Sequence, residues 1–289
     1  MSEQTTRPTN QLRRIEVTLR PESRFPVPVS DGYTVYSALL NVLDNVDTDV
    51  SARVHDSQFG SLHVSGLQGV FGGSDRPHHK TVRPDEEYQL SLGIADPADR
   101  EIFQALVNAL VLEGDSLELS HGYLHVEQFE SSNASHSDLL SKASEHDDPE
   151  IEMHFRTATC IEEAGDVTTM FPTRTAVFQS LLGKWNQSCP DDLELELDRE
   201  MLSRHVIEKP DARSYDTHSV LVNRVENGDG EMRNIFRQGF SGKCSYAFKG
   251  ASESVVNAVA TLALFGEYSG VGSAVARGCG NVGVTITND

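Results

Sequence analysis

Residues 14–20 (RIEVTLR) alternate apolar and charged side chains with the period of two that a half-buried strand requires. From residue 32 the period lengthens. Val35, Ala38, Leu39, Val42 and Leu43 share one face of a helix expected over residues 32–44, entered through Gly-Tyr and left through Asp-Asn. A glycine-studded stretch at 65–74 leads to a strand at 88–94, a helix near 97–112 and a strand pair at 116–129. With some strands open, that order is β-α-β-β-α-β, the arrangement of a ferredoxin-like unit. Residues 131–149 (SSNASHSDLLSKASEHDDP) are polar, serine-rich and short of packing residues, which predicts a linker or long loop.

The plan then repeats. Strands are expected at 151–161, 193–197, near 202–207 and at 217–225, with a helix near 173–185 between the first two. A strand pair within 232–248 leads to a helix at 253–264, capped by Ser252 and stopped by Gly266, and a strand at 282–287 closes the chain. The expected fold is α+β, with tandem ferredoxin-like domains at 1–130 and 150–289 joined by 131–149. No residue-level repeat accompanies the duplication, so it is architectural.

A chain of 289 residues has room for two modest domains. No run of eighteen apolar residues occurs, and the opening MSEQTTRPTNQLRR lacks the apolar centre of a signal peptide, so a cytoplasmic protein without a membrane partner is expected. Cys160, Cys189, Cys244 and Cys279 form no C-x-x-C pair and read as reduced packing thiols.

A formal charge of −20 counts against a nucleic-acid binder, which needs clustered cations. The 44 acidic residues are scattered rather than gathered in a tail. That bias resembles the solvated acidic surface of a halophilic protein, where molar salt shortens the screening length to roughly 3 Å. Local charge differs from the total. Residues 232–250 carry Arg233, Arg237, Lys243 and Lys249 without a carboxylate, and residues 268–288 carry Arg277 alone. Such gaps in a negative field are where a polyanion can sit. The acidic run 191–198 alternates like an exposed strand edge and reads as a solvated face.

Within the second gap lies Gly270-Val-Gly272-Ser-Ala-Val-Ala-Arg277-Gly278-Cys-Gly280, two G-x-G elements separated by five residues that include a cation. Glycine permits positive φ and close backbone approach, so such a loop beside a helix can cradle phosphates, with Arg277 adding charge. Tight turns between helix and strand are the competing explanation. The dinucleotide fingerprint lacks its third glycine here, and no P-loop occurs.

Residues 239–286, with this loop, resemble the closing segment of the CRISPR-associated repeat endoribonucleases of the RAMP superfamily. Residues 32–43, followed by SARVHD at 51–56 and a strand at 62–64, resemble that family's first helix, connecting loop and catalytic histidine. The middle of the chain is matched by expected fold only. The resemblance implies metal-independent cleavage of CRISPR precursor RNA within its repeats, with products handed to interference-complex subunits and no cofactor. It assigns proton transfer to His55, with Tyr36 and Lys243 as helpers. Gly270, Gly272, Arg277, Gly278 and Gly280 would hold RNA, joined by Arg233, Arg237 and Lys249. Relatives commonly place a lysine a few residues beyond the histidine; residues 57–61 hold no cation, so catalysis by a single histidine stays open. No metal-ligand motif such as H-E-x-x-H occurs. The rival reading is a non-catalytic RAMP-type RNA-binding subunit, which needs no proton-transfer group at position 55.

Overall fold

The computed structural model describes residues 11–56, 62–96, 99–112, 116–163, 167–226, 228 and 230–288. Its first half runs β1 (Gln11–Pro21), β2 (Phe25–Pro28), α1 (Gly32–Val46), α2 (Thr48–Asp56), β3 (His63–Gly69), β4 (Gly72–Gly73), β5 (His79–Val82), β6 (Tyr88–Ile94), α3 (Arg100–Val107), β7 (Ser116–Leu119) and β8 (Gly122–Ser135). Strands pair in the order β3-β6-β1-β8-β7, and β2, β5 and β4 form a small separate sheet. The alternation in β1 works as expected: Ile15, Val17 and Leu19 are buried in one core with Val35, Leu39, Val42 and Leu43 of α1.

The second half runs α4 (His136–Ala143), β9 (Pro149–Thr159), β10 (Ile161–Glu162), β11 (Thr168–Thr169), α5 (Arg174–Ser188), α6 (Arg199–His205), β12 (Val206–Pro210), β13 (Asp216–Glu226), β14 (Met232–Phe248), α7 (Glu253–Ser269) and β15 (Val282–Asn288). Its sheet order is β12-β14-β9-β15, with β13 also on β14. Both sheets place the strand after the first helix beside the third strand and the last beside the first, which is the ferredoxin-like order. A second core, with Met153, Phe155, Phe178, Leu181, Trp185 and Phe265, fills the space between this sheet and α5 and α7.

Several expectations are corrected. Residues 131–149 are not a structureless linker. β8 continues to Ser135, and α4 starts there with a capping box: Ser135 Oγ accepts from the Asp138 amide and the Asp138 carboxylate accepts from the Ser135 amide. Its few packing residues suffice, since Leu139 and Ala143 are buried and His136 meets Trp185 edge-on at 4.7 Å. Residues 193–197 form no strand. The alternation is real, but the backbone there is held by α5 side chains: Trp185 Nε1 donates to Leu193, Asn186 bonds Leu195 in both directions, and Gln179 donates to Leu197. Residues 199–205 are helical, capped by the Asp198 carboxylate. Residues 232–248 make one strand rather than a pair. Its first part pairs with β13 and its second with β12, the change falling at Gly242, whose φ of +115° bends the strand around Ser214. Finally, α7 runs through Gly266, where a side chain would crowd Val282, and ends at Gly270, with φ of +63°.

Candidate active site and RNA interface

Asp47 starts α2 by accepting the amides of Asp49 and Val50. Val50 and Val54 then bury one face against α1, and His55 is left exposed in the last turn. The expected connecting loop is therefore a helix up to Asp56, and the cation-free stretch 57–61 lies outside the described residues. Beyond it, β3 packs against a 3-10 turn, Val275–Arg277, that also touches α1. The Arg277 guanidinium stands 5.8 Å from the centre of the Tyr36 ring. The corner of α1 and β3 thus brings Tyr36 and Arg277 together, while His55 lies on α2, which packs on α1. Tyr36 itself is buried among the packing residues of α1. Lys243 is on the other sheet, where its ammonium lies 2.8 Å from Glu152.

The glycine loop has a different cause from the expected one. Gly270, Gly272, Gly278 and Gly280 all have φ between +63° and +86°. Each is also pressed against protein. A Cβ would sit 2.7 Å from the His63 imidazole at Gly270, 2.4 Å from the Cys160 carbonyl at Gly272, 2.4 Å from the Gly32 Cα at Gly278, and 2.0 Å from the Val271 carbonyl at Gly280. The amides that were to cradle phosphate are taken: Val271 donates to Gly280, Gly272 to Ser180, Ser273 to Cys160, and Gly280 to Ala158. The loop is wedged between the two units, so its glycines serve close backbone packing. Of the motif, Arg277, Gly278 and Cys279 line a cleft.

The wedge seals His63, which is 1% exposed and whose Nε2 has no hydrogen-bond partner among the described residues. Burial, then the charges of Lys184 and Arg14, push its pKa down to about 3. Lys184 donates to the Ser269 and Gly270 carbonyls at 3.2 and 2.9 Å, at the negative end of α7, while burial lowers its own pKa to about 7. For His63 the folded value lies below that of the unfolded chain. Its contribution is intact above pH 6.5 and is lost as pH falls toward 3. Between pH 6.5 and 5 the loss is ~1.5 kcal/mol. Urea midpoints of His63→Gln should therefore fall less over that interval than those of wild type; parallel profiles would rule the sealed imidazole out as the cause.

The remaining cations do not form one patch. Arg233 and Lys249 flank opposite ends of β14, roughly 50 Å apart along a strand that rises ~3.3 Å per residue. Arg237 is engaged by Glu162 and by Ser273 of the glycine loop, so it holds the loop. What sequence reasoning missed is a cleft between the units. Tyr33, Ser37 and Asn41 of α1 face Thr217, His218, Arg224 and Phe236 of the β13–β14 hairpin across about 1170 Å³. A smaller notch of about 200 Å³ shares His218 and Ser30 with it, and adds Arg156, Ser241, Arg277 and Lys80. The alternation of β9 could have placed Arg156 on the open face of its sheet; nothing in the sequence could have placed His218 beside it. Among the described residues no cluster of three His, Cys, Asp or Glu side chains is placed to hold a metal, and no helix is long and apolar enough to cross a membrane.

Residues 153–282 match the family of CRISPR-associated endoribonuclease Cas6. Cas6 of Thermus thermophilus superposes with a TM-score of 0.63 at 14% identity, over 95% of this chain and 98% of that one. A Cas6 product complex of the same protein gives 0.64 at 16% identity, over 96% and 100%. The product of a Cas6-related gene from Pyrococcus furiosus gives 0.60 at 13% identity, over 95% and 98%. No curated protein matches the sequence. The chain therefore carries the tandem ferredoxin-like fold of the Cas6 structures over nearly its whole length, and from residue 153 to 282 it bears the sequence signature of the CRISPR-associated endoribonuclease Cas6 family.

Proposed function

We propose that this protein cuts CRISPR precursor RNA within its repeats. The observation that carries the reading is the endoribonuclease family match over residues 153–282, on a fold shared with a Cas6 product complex. In the reaction, the 2′-hydroxyl beside the scissile phosphate attacks phosphorus in line and the bond to the 5′ oxygen breaks. A base takes the 2′ proton and an acid returns one to the leaving oxygen, giving 2′,3′-cyclic phosphate and 5′-hydroxyl ends with no water consumed. His55, exposed at the end of α2, is the group assigned to proton transfer. Arg277, at the edge of the cleft between the units, is assigned to holding the RNA backbone. The units at 1–130 and 150–289 divide the work accordingly, and the product passes to subunits of an interference complex in the cytoplasm.

A second reading, an RNA-binding subunit that does not cut, is favoured by the burial of Tyr36 and the pairing of Lys243 with Glu152, which leave neither head group offered as a helper. The two part on one experiment, in which labelled repeat RNA is incubated in high KCl with EDTA, with and without a 2′-deoxy nucleotide at the cut site. EDTA should leave cleavage intact and the deoxy substitution should abolish it. Cleavage of the deoxy RNA, or loss in EDTA restored by magnesium, sinks the mechanism; RNA bound but never cut puts the scaffold in its place.

A further inference from the structure

We propose that the notch between the units is a second RNA-phosphate site, in which Arg156, beside His218 and Ser241, binds a backbone phosphodiester away from the bond that is cut. The inference rests on the RNA-processing reading and names a subsite for it. The notch holds about 200 Å³, room for about six waters at ~30 Å³ each, which is the scale of a hydrated phosphate.

Its electrostatics depart from those of the chain. In a protein with 44 acidic residues, Asp31 and Glu118 are the carboxylates that line notch and cleft among the described residues, and both are engaged. Asp31 pairs with Lys80 at 2.9 Å, and Glu118 accepts the Tyr123 hydroxyl at 3.1 Å. Arg156, Arg224 and Arg277 have no carboxylate partner among the described residues. Three guanidiniums facing a cleft without free carboxylates make a local well for an oxyanion.

Arg156 is also positioned. Its guanidinium lies across Gly283 of β15, where a Cβ would come within 2.4 Å of Nη2. His218 and Ser241 share a 2.7 Å hydrogen bond at the junction of notch and cleft. On the cleft side the lining mixes polar and apolar side chains, and Phe236 there is 55% exposed. A cleft with an exposed aromatic face, opening onto a cationic notch, suits single-stranded RNA, with a base stacked on Phe236 in the cleft and a more distant phosphate of the same strand on Arg156 in the notch.

The test measures binding of a repeat RNA made uncleavable by a 2′-deoxy nucleotide at the cut site, across a KCl series. Arg156→Gln should weaken binding about tenfold and lower the slope of log Kd against log salt by about one. Gly283→Ala keeps the charge but displaces the guanidinium, and should weaken binding while leaving the melting temperature in place. Wild-type affinity and slope in both variants would overturn the proposal. So would inorganic phosphate raising the melting temperature of wild type but not of Arg156→Gln while RNA affinity stays equal, since the site would then take free oxyanion. Because this RNA is never cut, the outcome is separate from that of His55: binding lost in Arg156→Gln stands even where wild type cleaves nothing.

Discussion

Replacing His55 with alanine is expected to slow repeat-RNA cleavage by about 10²- to 10⁴-fold while leaving RNA affinity and the melting temperature near their wild-type values. The separation follows from position. Val50 and Val54 carry the packing of α2 on α1, and Asp47 caps its start, so an exposed residue in the last turn contributes little to the fold. Alanine is moreover the best helix former. A loss confined to single-turnover rate therefore reports chemistry. Glutamine at the same position offers hydrogen bonds but no proton transfer near neutral pH, and should be as slow as alanine. Cleavage at wild-type rate in either variant would move the proton-transfer role elsewhere, and the first place to look is His218 in the cleft.

Gly280→Ala should destabilise the protein by about 3–5 kcal/mol, or about 10 °C in melting temperature, with no RNA present. Two costs combine. An L-residue at φ of +72° carries ~1–2 kcal/mol of strain. The added Cβ also meets the Val271 carbonyl at 2.0 Å, and since the Gly280 carbonyl accepts the Val271 amide, neither backbone can retreat without breaking that bond. Gly183→Ala is the control of opposite sign. Nothing lies within 4 Å of its Cβ in the middle of α5, and the change should stabilise by roughly 0.5–1 kcal/mol. A loop built to cradle phosphate behaves otherwise: Gly280→Ala would then keep its melting temperature and lose RNA affinity.

The architecture was legible because it rests on local periodicity. β6 spans the expected residues 88–94, and α1 buries the five side chains that its spacing put on one face. Alternation was also read correctly at 193–197, yet the partner is the side chains of a helix rather than a strand, and no sequence pattern encodes that choice. The linker reading failed at a helix with only two buried aliphatics, whose start signal, Ser135 with Asp138 three residues on, was present in the sequence. The glycine motif was noticed for a sound reason, since it holds more glycines than a turn needs. The surplus serves contacts with Gly32 and His63, more than two hundred residues earlier, and a single sequence does not announce such meetings. Arg156 and His218 went unnoticed on the same ground: they become neighbours only when β9 and the hairpin frame one cleft.

The wedge between the units also sets a timetable for synthesis. The first sheet has β1, β3 and β6 in hand by residue 94, but the end of α7 and the glycine loop that cover its open face arrive only by residue 281. At ~5–20 residues per second that interval is roughly 10–40 s. Throughout it, His63 and the bare backbone at Gly93 face water, and the nascent first half presents an unfinished sheet to whatever surrounds the ribosome.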